Sequence, residues 1–243
     1  MAETTKTGDR LKDRVAVITG ASRGIGAAVA KAFAAEGAQC VLIARTIGAL
    51  EALDDDITTA GGLKPLLVPQ DLMKQEEIES LGPALAERYG RADILVGNAA
   101  ILGTLSPVAQ SNPDMWENCF RLNVLANQRL IRTLDPLLRG SDAGRAIFVS
   151  SGAVHGARAH WGAYAASKAA LERMVFSYAD EVRHSALKVN VIDPGRIRTE
   201  MRALAYPGED PLTLPHPDEI TGRFVELAAP DCTETGQVFK AVA

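Results

Sequence analysis

The stretch Val15-Ala16-Val17-Ile18-Thr19-Gly20-Ala21-Ser22-Arg23-Gly24-Ile25-Gly26 decides how this chain folds. Val15–Thr19 reads as a buried strand, and the glycine-rich turn behind it runs straight into a helical pattern at 24–36. Such a turn offers free backbone N–H groups and the positive end of a helix dipole, the two things a phosphate needs. Gly20 and Gly24 would let backbone approach a pyrophosphate, and Gly26 would let the helix pack against its strand. Ser22, Arg23 and Ile25 complete the loop. The spacing is G-x-x-x-G-x-G, not the G-x-G-x-x-G of the general dinucleotide fingerprint.

The alternation continues along the chain. Cys40–Ala44, Leu66–Pro69, Ile94–Gly97, Ala146–Ser150, Val189–Ile192 and Gln237–Ala241 read as further strands. Helical patterns lie at 47–60, 74–89, 113–138, 162–184 and 218–227; Asn112-Pro113 starts one, and Gly90 closes another at Tyr89. Repeated β–α units imply right-handed crossovers. They predict an α/β fold with a doubly wound, mostly parallel sheet and helices on both faces, the Rossmann arrangement. No linker, repeat or composition shift divides the chain, so residues 13–243 are expected to form one domain behind a flexible tail at 1–12. That single unit must then supply both cofactor and substrate sites.

The chain has 243 residues, with 26 Lys+Arg against 30 Asp+Glu, and shows no basic stripe. Its aromatic content is 5%, so neither electrostatics nor stacking points to a nucleic-acid partner. Cys40, Cys119 and Cys232 are odd in number and widely spaced, which suits a reducing, cytoplasmic setting and no disulfide framework. The first dozen residues carry no apolar core of a secretory signal. Nor does any apolar run approach the roughly 18 residues of a membrane span.

The second strand ends in Ala44 and is followed by Arg45, where an NAD-preferring fold usually carries an acid for the ribose 2′-hydroxyl. Arg45 and Arg23 read instead as a cationic clamp for a 2′-phosphate, so NADP(H) is expected over NAD(H). Further along, Tyr164 and Lys168 stand one helical turn apart on one face. An ammonium there would draw the phenol, ordinarily near pKa 10, toward proton transfer at neutral pH. Ser151 follows a strand end 13 residues before Tyr164, where open α/β sheets bind ligands.

With these motifs the sequence resembles the short-chain dehydrogenase/reductase family, in its single-domain branch, over residues 12–240. The matching residues are the loop Thr19–Gly26, Asp71, Asn98-Ala99, Asn123, Ser151, Tyr164/Lys168 and the run Asp193–Thr199. The resemblance implies that Tyr164 exchanges a proton with a carbonyl or alcohol oxygen, which Ser151 orients. Lys168 would hold the nicotinamide ribose and lower the pKa of Tyr164, and Asn123 would hold a water linking Lys168 to solvent. Asp71, with Leu72 beside it, would meet the adenine amine, and Asn98 with Ala99 the adenine ribose. Ile197 and Thr199 would hold the carboxamide, with Pro194-Gly195 turning beneath the ring. One departure is Asn98-Ala99-Ala100, where the family commonly has Asn-Ala-Gly.

Within the family, the runs 161–168, 190–195, 201–203 and 205–211 are similar to YciK-type bacterial oxidoreductases, which implies no particular substrate. His155, Trp161 and Met201 are candidates to touch a substrate. His155 and His160, five residues apart without carboxylate partners, make no metal site. The implied function is NADP(H)-dependent exchange of hydride with a small carbonyl or secondary alcohol. The alternatives are a 3-oxoacyl-(acyl carrier protein) reductase and, outside enzymes, an NADP-sensing regulator. Family members pair the helices at 113–138 and 162–184 between subunits, implying a homodimer or homotetramer.

Overall fold

A computed structural model of the chain describes residues 8–242. Seven strands, β1 (Val15–Thr19), β2 (Gln39–Ala44), β3 (Leu66–Pro69), β4 (Ile94–Gly97), β5 (Arg145–Val149), β6 (Lys188–Asp193) and β7 (Val238–Lys240), form one sheet. Their order is β3-β2-β1-β4-β5-β6-β7, and every neighbouring pair is parallel. Helices cover both faces in a single domain: α1 (Gly24–Ala35), α2 (Ile47–Thr59), α3 (Gln75–Ile78), α4 (Leu81–Tyr89), α5 (Pro113–Phe120), α6 (Ala126–Gly140), α7 (Gly162–Glu181), α8 (Glu200–Ala205) and α9 (Thr221–Ala228).

The strands read as unbroken apolar runs because both of their faces are buried. On β1, Ala16 and Ile18 enter the core under α1, α2 and α9, while Val15 and Val17 enter the core under α4, α6 and α7. The chain crosses from β3 to β4 past β1, so the strand order reverses between β1 and β4, and a crevice opens at their carboxyl ends. Thr19 staples that point. Its hydroxyl donates to the Val96 carbonyl at 3.2 Å and accepts from the N–H groups of Asn98 and Ala99 at 3.0 and 3.1 Å.

Two expected helices are broken. The pattern at 74–89 divides into α3 and α4, because Pro83 has no N–H to donate and must lie in the first turn of a new helix. The pattern at 113–138 contains a π-helical turn over Arg121–Leu125, between α5 and α6. Of the tail expected at 1–12, residues 1–7 lie outside the described residues. Residues 8–12 are docked rather than free: the Gly8 and Leu11 N–H groups donate to Ala35 and Glu36 carbonyls at 2.6 and 2.9 Å, and Leu11 is fully buried. Among the described residues no helix is long and apolar enough to cross a membrane.

Candidate active site

The crevice is a cleft of about 1190 Å³ running from the β1–α1 loop to α8. Its floor depends on glycine. Gly20 and Gly24 take φ of +63° and +56°, and a Cβ on Gly26 would strike the Gly20 carbonyl. No side chain caps the N-terminus of α1, whereas Asn112 caps α5 and Thr199 caps α8. The first-turn N–H groups of α1 are therefore left for a ligand, and the residues present fit a dinucleotide's phosphates.

Around this floor lie Ser22, Arg23, Ile25 and Arg45 at one end, with Asp71 and Leu72 beyond them. Asp71 Oδ1 accepts from the Met73 N–H at 3.0 Å, closing the turn after β3. Asn98 and Ala99 line the middle, but the Asn98 amide donates to the carbonyls of Thr19 and Gly20 at 2.9 and 3.3 Å. It fastens the phosphate loop to β4. Pro194, Gly195, Ile197 and Thr199 form the opposite wall, and Thr199 Cγ2 faces Gly24 across the cleft.

Ser151, Tyr164 and Lys168 meet on the inner wall. Burial pushes the Tyr164 phenol up to about 12, with Asp193 and Cys119 adding to the rise and a hydrogen bond with Ser151 opposing it. Burial draws Lys168 down to about 8, against the pull of Glu172. Lys168 Nζ donates to the Val149 carbonyl at 2.8 Å and lies 6.0 Å from the Tyr164 ring centroid; Ser151 is the group that pulls the phenol down.

Asn123 sits in the π-helical turn, fully buried behind this wall rather than on it. Its Oδ1 accepts from the Ile101 N–H at 2.9 Å, and its Nδ2 donates to the Ile101 carbonyl at 3.0 Å and Ser167 Oγ at 2.9 Å. Its carbonyl accepts from Asn127 Nδ2 at 2.9 Å. The amide therefore clamps the loop after β4 onto α7.

Of the candidate substrate contacts, Trp161 and Met201 join Leu102, Ala153 and Tyr164 in an apolar cluster, with the Trp161 and Tyr164 rings edge to face at 5.8 Å. His155 is corrected. The single 3₁₀ turn Gly152–Val154 leads into an exposed segment, residues 155–160, of which Arg158 borders the cleft while His155 is exposed and off it.

Two residues with a part in the wall had no assigned role in the sequence. Asp193 Oδ1 accepts from the Gly152 N–H at 3.0 Å and the Gly195 N–H at 3.1 Å, tying the Ser151 loop to the Pro194-Gly195 turn. Glu172 is buried one turn past Lys168, a position that the i, i+4 spacing from Tyr164 through Lys168 would have flagged.

Residues 14–210 match the short chain dehydrogenase family. YciK, an oxidoreductase of Escherichia coli strain K12, is 39% identical over 236 residues, covering 96% of this chain and 93% of that protein. The crystal structure of a short chain dehydrogenase of Escherichia coli CFT073 complexed with NADPH superposes with a TM-score of 0.93 at 39% identity, over 97% of this chain and 99% of that one. A benzil reductase of Saccharomyces cerevisiae is 32% identical over 196 residues, covering 78% of this chain and 73% of that protein. The chain belongs to the short-chain dehydrogenase/reductase family, as a nicotinamide-cofactor-dependent oxidoreductase acting between alcohols and carbonyl compounds.

Proposed function

We propose that this oxidoreductase uses NADP(H) and interconverts a small carbonyl compound and its secondary alcohol, with Tyr164 as general acid and base. The observation that carries the reading is one wall of the cleft on which Ser151, Tyr164 and Lys168 stand together beside an apolar pocket. When bound, the nicotinamide supplies or accepts the hydride. Ser151 orients the carbonyl oxygen, and Tyr164 gives it a proton as the carbon gains hydride; in the reverse direction Tyr164 takes the proton back. Lys168 holds the nicotinamide ribose. Arg23 and Arg45, on the phosphate side of the cleft, favour NADP(H) over NAD(H), as does the NADPH complex of the Escherichia coli CFT073 relative.

The apolar pocket of Leu102, Trp161 and Met201 suits a substrate with a hydrocarbon body, and the relative named a benzil reductase supports a carbonyl substrate. One observation favours a second reading. Arg158, Arg196 and Arg198 edge the substrate side of the cleft, which suits a 3-oxoacyl thioester on an acidic carrier protein. The exposed Val108 and Leu125, at 66% and 47%, suit pairing into a homodimer or homotetramer, and light scattering that gives a 25.8 kDa particle would remove that idea.

NADPH oxidation followed against ketones, aldehydes, quinones and acetoacetyl thioesters tests the reading. Turnover on a simple ketone supports it, turnover confined to thioesters moves it to the carrier-protein substrate, and NADPH binding without any turnover leaves a sensor. Tyr164→Phe is expected to bind NADPH as the parent does and to lose about 10²–10⁴-fold in turnover.

A further inference from the structure

Glu172 is a buried carboxylate for which the proposed chemistry has no use. Tyr164, Lys168 and Glu172 follow one another at single-turn intervals on one face of α7. Glu172 is 4% exposed and Lys168 1%. A carboxylate this deep is strongly disfavoured unless it has both a hydrogen-bond donor and an opposite charge.

Both are present. Ser150 Oγ donates to Glu172 Oε1 at 2.6 Å, the length of a hydroxyl bond to an ionised acceptor. The opposite charge is Lys168, one turn back on the same buried helix face, near enough for its ammonium to gain from Glu172 although no direct ion-pair contact joins them. Two consecutive residues at the end of β5 therefore each take one member of the α7 row, the Val149 carbonyl Lys168 and the Ser150 hydroxyl Glu172, and the next residue, Ser151, shares the cleft wall with Tyr164. The strand end serves as a template for the helix face.

We propose that Glu172 is a positioning residue acting through Lys168: anchored by Ser150 and one turn along the same buried helix face, its carboxylate keeps Lys168 in its ammonium form while the Val149 carbonyl holds the side chain in place. The inference rests on the reading above, in which that ammonium grips the cofactor's ribose. On its own helix Lys168 faces Tyr164 and Glu172, and from β5 it meets the uncharged Val149 carbonyl. Asn123 and Ser167, bonded to each other behind the wall, are neutral. Asp193 on β6 and Cys119 on α5 act on Tyr164 and not on Lys168. Burial works against the ammonium, and among the described residues Glu172 is the charge that offsets it.

The chain has eight lysines, so carbon-13 labelling at lysine Cε and titration by nuclear magnetic resonance resolves Lys168, assigned by loss of its signal in Lys168→Met. Glu172→Gln keeps the acceptor for Ser150 and removes only the charge. The Lys168 midpoint, near 8 in the parent, is expected to fall by at least about one pH unit, a tenfold loss of ammonium at a given alkaline pH. NADPH affinity is expected to follow, weakened several-fold at pH 8 and unchanged at pH 6. An unmoved midpoint overturns the proposal, whatever happens to the melting temperature. Should Glu172→Gln fail to fold, Ser150→Ala frees the carboxylate from its anchor with little change of volume. A smaller drop in midpoint is then expected, and none would overturn the idea. The titration needs no turnover, so a Tyr164→Phe variant that stayed active would defeat the functional reading without touching this one.

Discussion

Arg23 Nη1 lies 2.6 Å from Glu200 Oε2, an ion pair thrown across the cleft from the phosphate loop to the start of α8. Both side chains are 66% exposed, so the pair itself contributes no more than about 1 kcal/mol. Its interest is competition, because the 2′-phosphate proposed as a ligand of Arg23 must share it with Glu200. Glu200→Gln is expected to tighten NADPH about two- to fivefold and leave NADH unchanged. Arg45→Ala removes a charge-assisted contact of roughly 1.5–3 kcal/mol and should weaken NADPH about tenfold or more, with NADH within about twofold. Fluorescence titration with both nucleotides checks this, and equal losses for the two would argue against the clamp.

Asp193 holds two loops with one oxygen, accepting from Gly152 and Gly195, and its charge helps to raise Tyr164. Asparagine keeps the acceptor and deletes the charge, so the phenol becomes easier to ionise. With Tyr164 as the proposed base of alcohol oxidation, the rising alkaline limb of its pH profile is expected to move to lower pH in Asp193→Asn. Asp193→Ala loses the anchor as well and should lower kcat/KM by about 10- to 100-fold, since small displacements of positioning groups cost that much. A profile that is superimposable for the parent and the asparagine variant would show that the charge does not reach the phenol.

The sheet was legible because strands buried on both faces are apolar without interruption, and the expected strand ends differ from those observed by at most one residue. The phosphate loop was legible for a related reason: Gly20, Gly24 and Gly26 sit where a left-handed backbone or a close contact disfavours a Cβ. The π-helical turn at Arg121–Leu125 was not, because the extra residue is accommodated without breaking the apolar pattern of α5 and α6. His155 was misplaced because one short 3₁₀ turn sets the direction of the loop after Ser151. Glu172 escaped notice because a lone acid in a helix is ordinarily solvated, and only its Ser150 and Lys168 neighbours, distant in sequence or one turn away, explain its burial.

The glycines of the loop should separate in their cost. A Cβ on Gly26 would collide with the Gly20 carbonyl and come within 2.7 Å of Asn98 Nδ2, both fixed. Gly26→Ala is expected to lose about 1–3 kcal/mol of stability, a fall in melting temperature of roughly 2–12 °C, together with NADPH binding. At Gly24 the new atom meets only Thr199 Cγ2 at 3.5 Å, and the left-handed φ of +56° adds a strain of about 1–2 kcal/mol. Calorimetry on the two variants, with and without NADPH, should place the larger loss of nucleotide binding at Gly26; the reverse order would mean that the loop repacks.

Lys168 should leave its mark on the pH dependence of folding. Burial lowers its pKa from 10.5 to about 8, so between those values the unfolded chain holds a proton that the folded chain has released. Stability rises with pH wherever the unfolded state binds more protons, and Lys168 therefore adds stability as pH climbs through 8. Cys40, raised from 9.0 to about 12, and Tyr164, raised from 10.0 to about 12, act in the opposite sense, because the folded chain keeps protons that the unfolded chain gives up. The window from about pH 8 to 9 consequently belongs to Lys168; from about 9 to 10 Cys40 offsets it, and above that the buried thiol and phenol bring stability down. Urea midpoints are expected to rise across that window, level off, and decline above about pH 10. In Lys168→Met the rise should vanish and the decline remain, and a rise of the same size in that variant would assign the titration to another group.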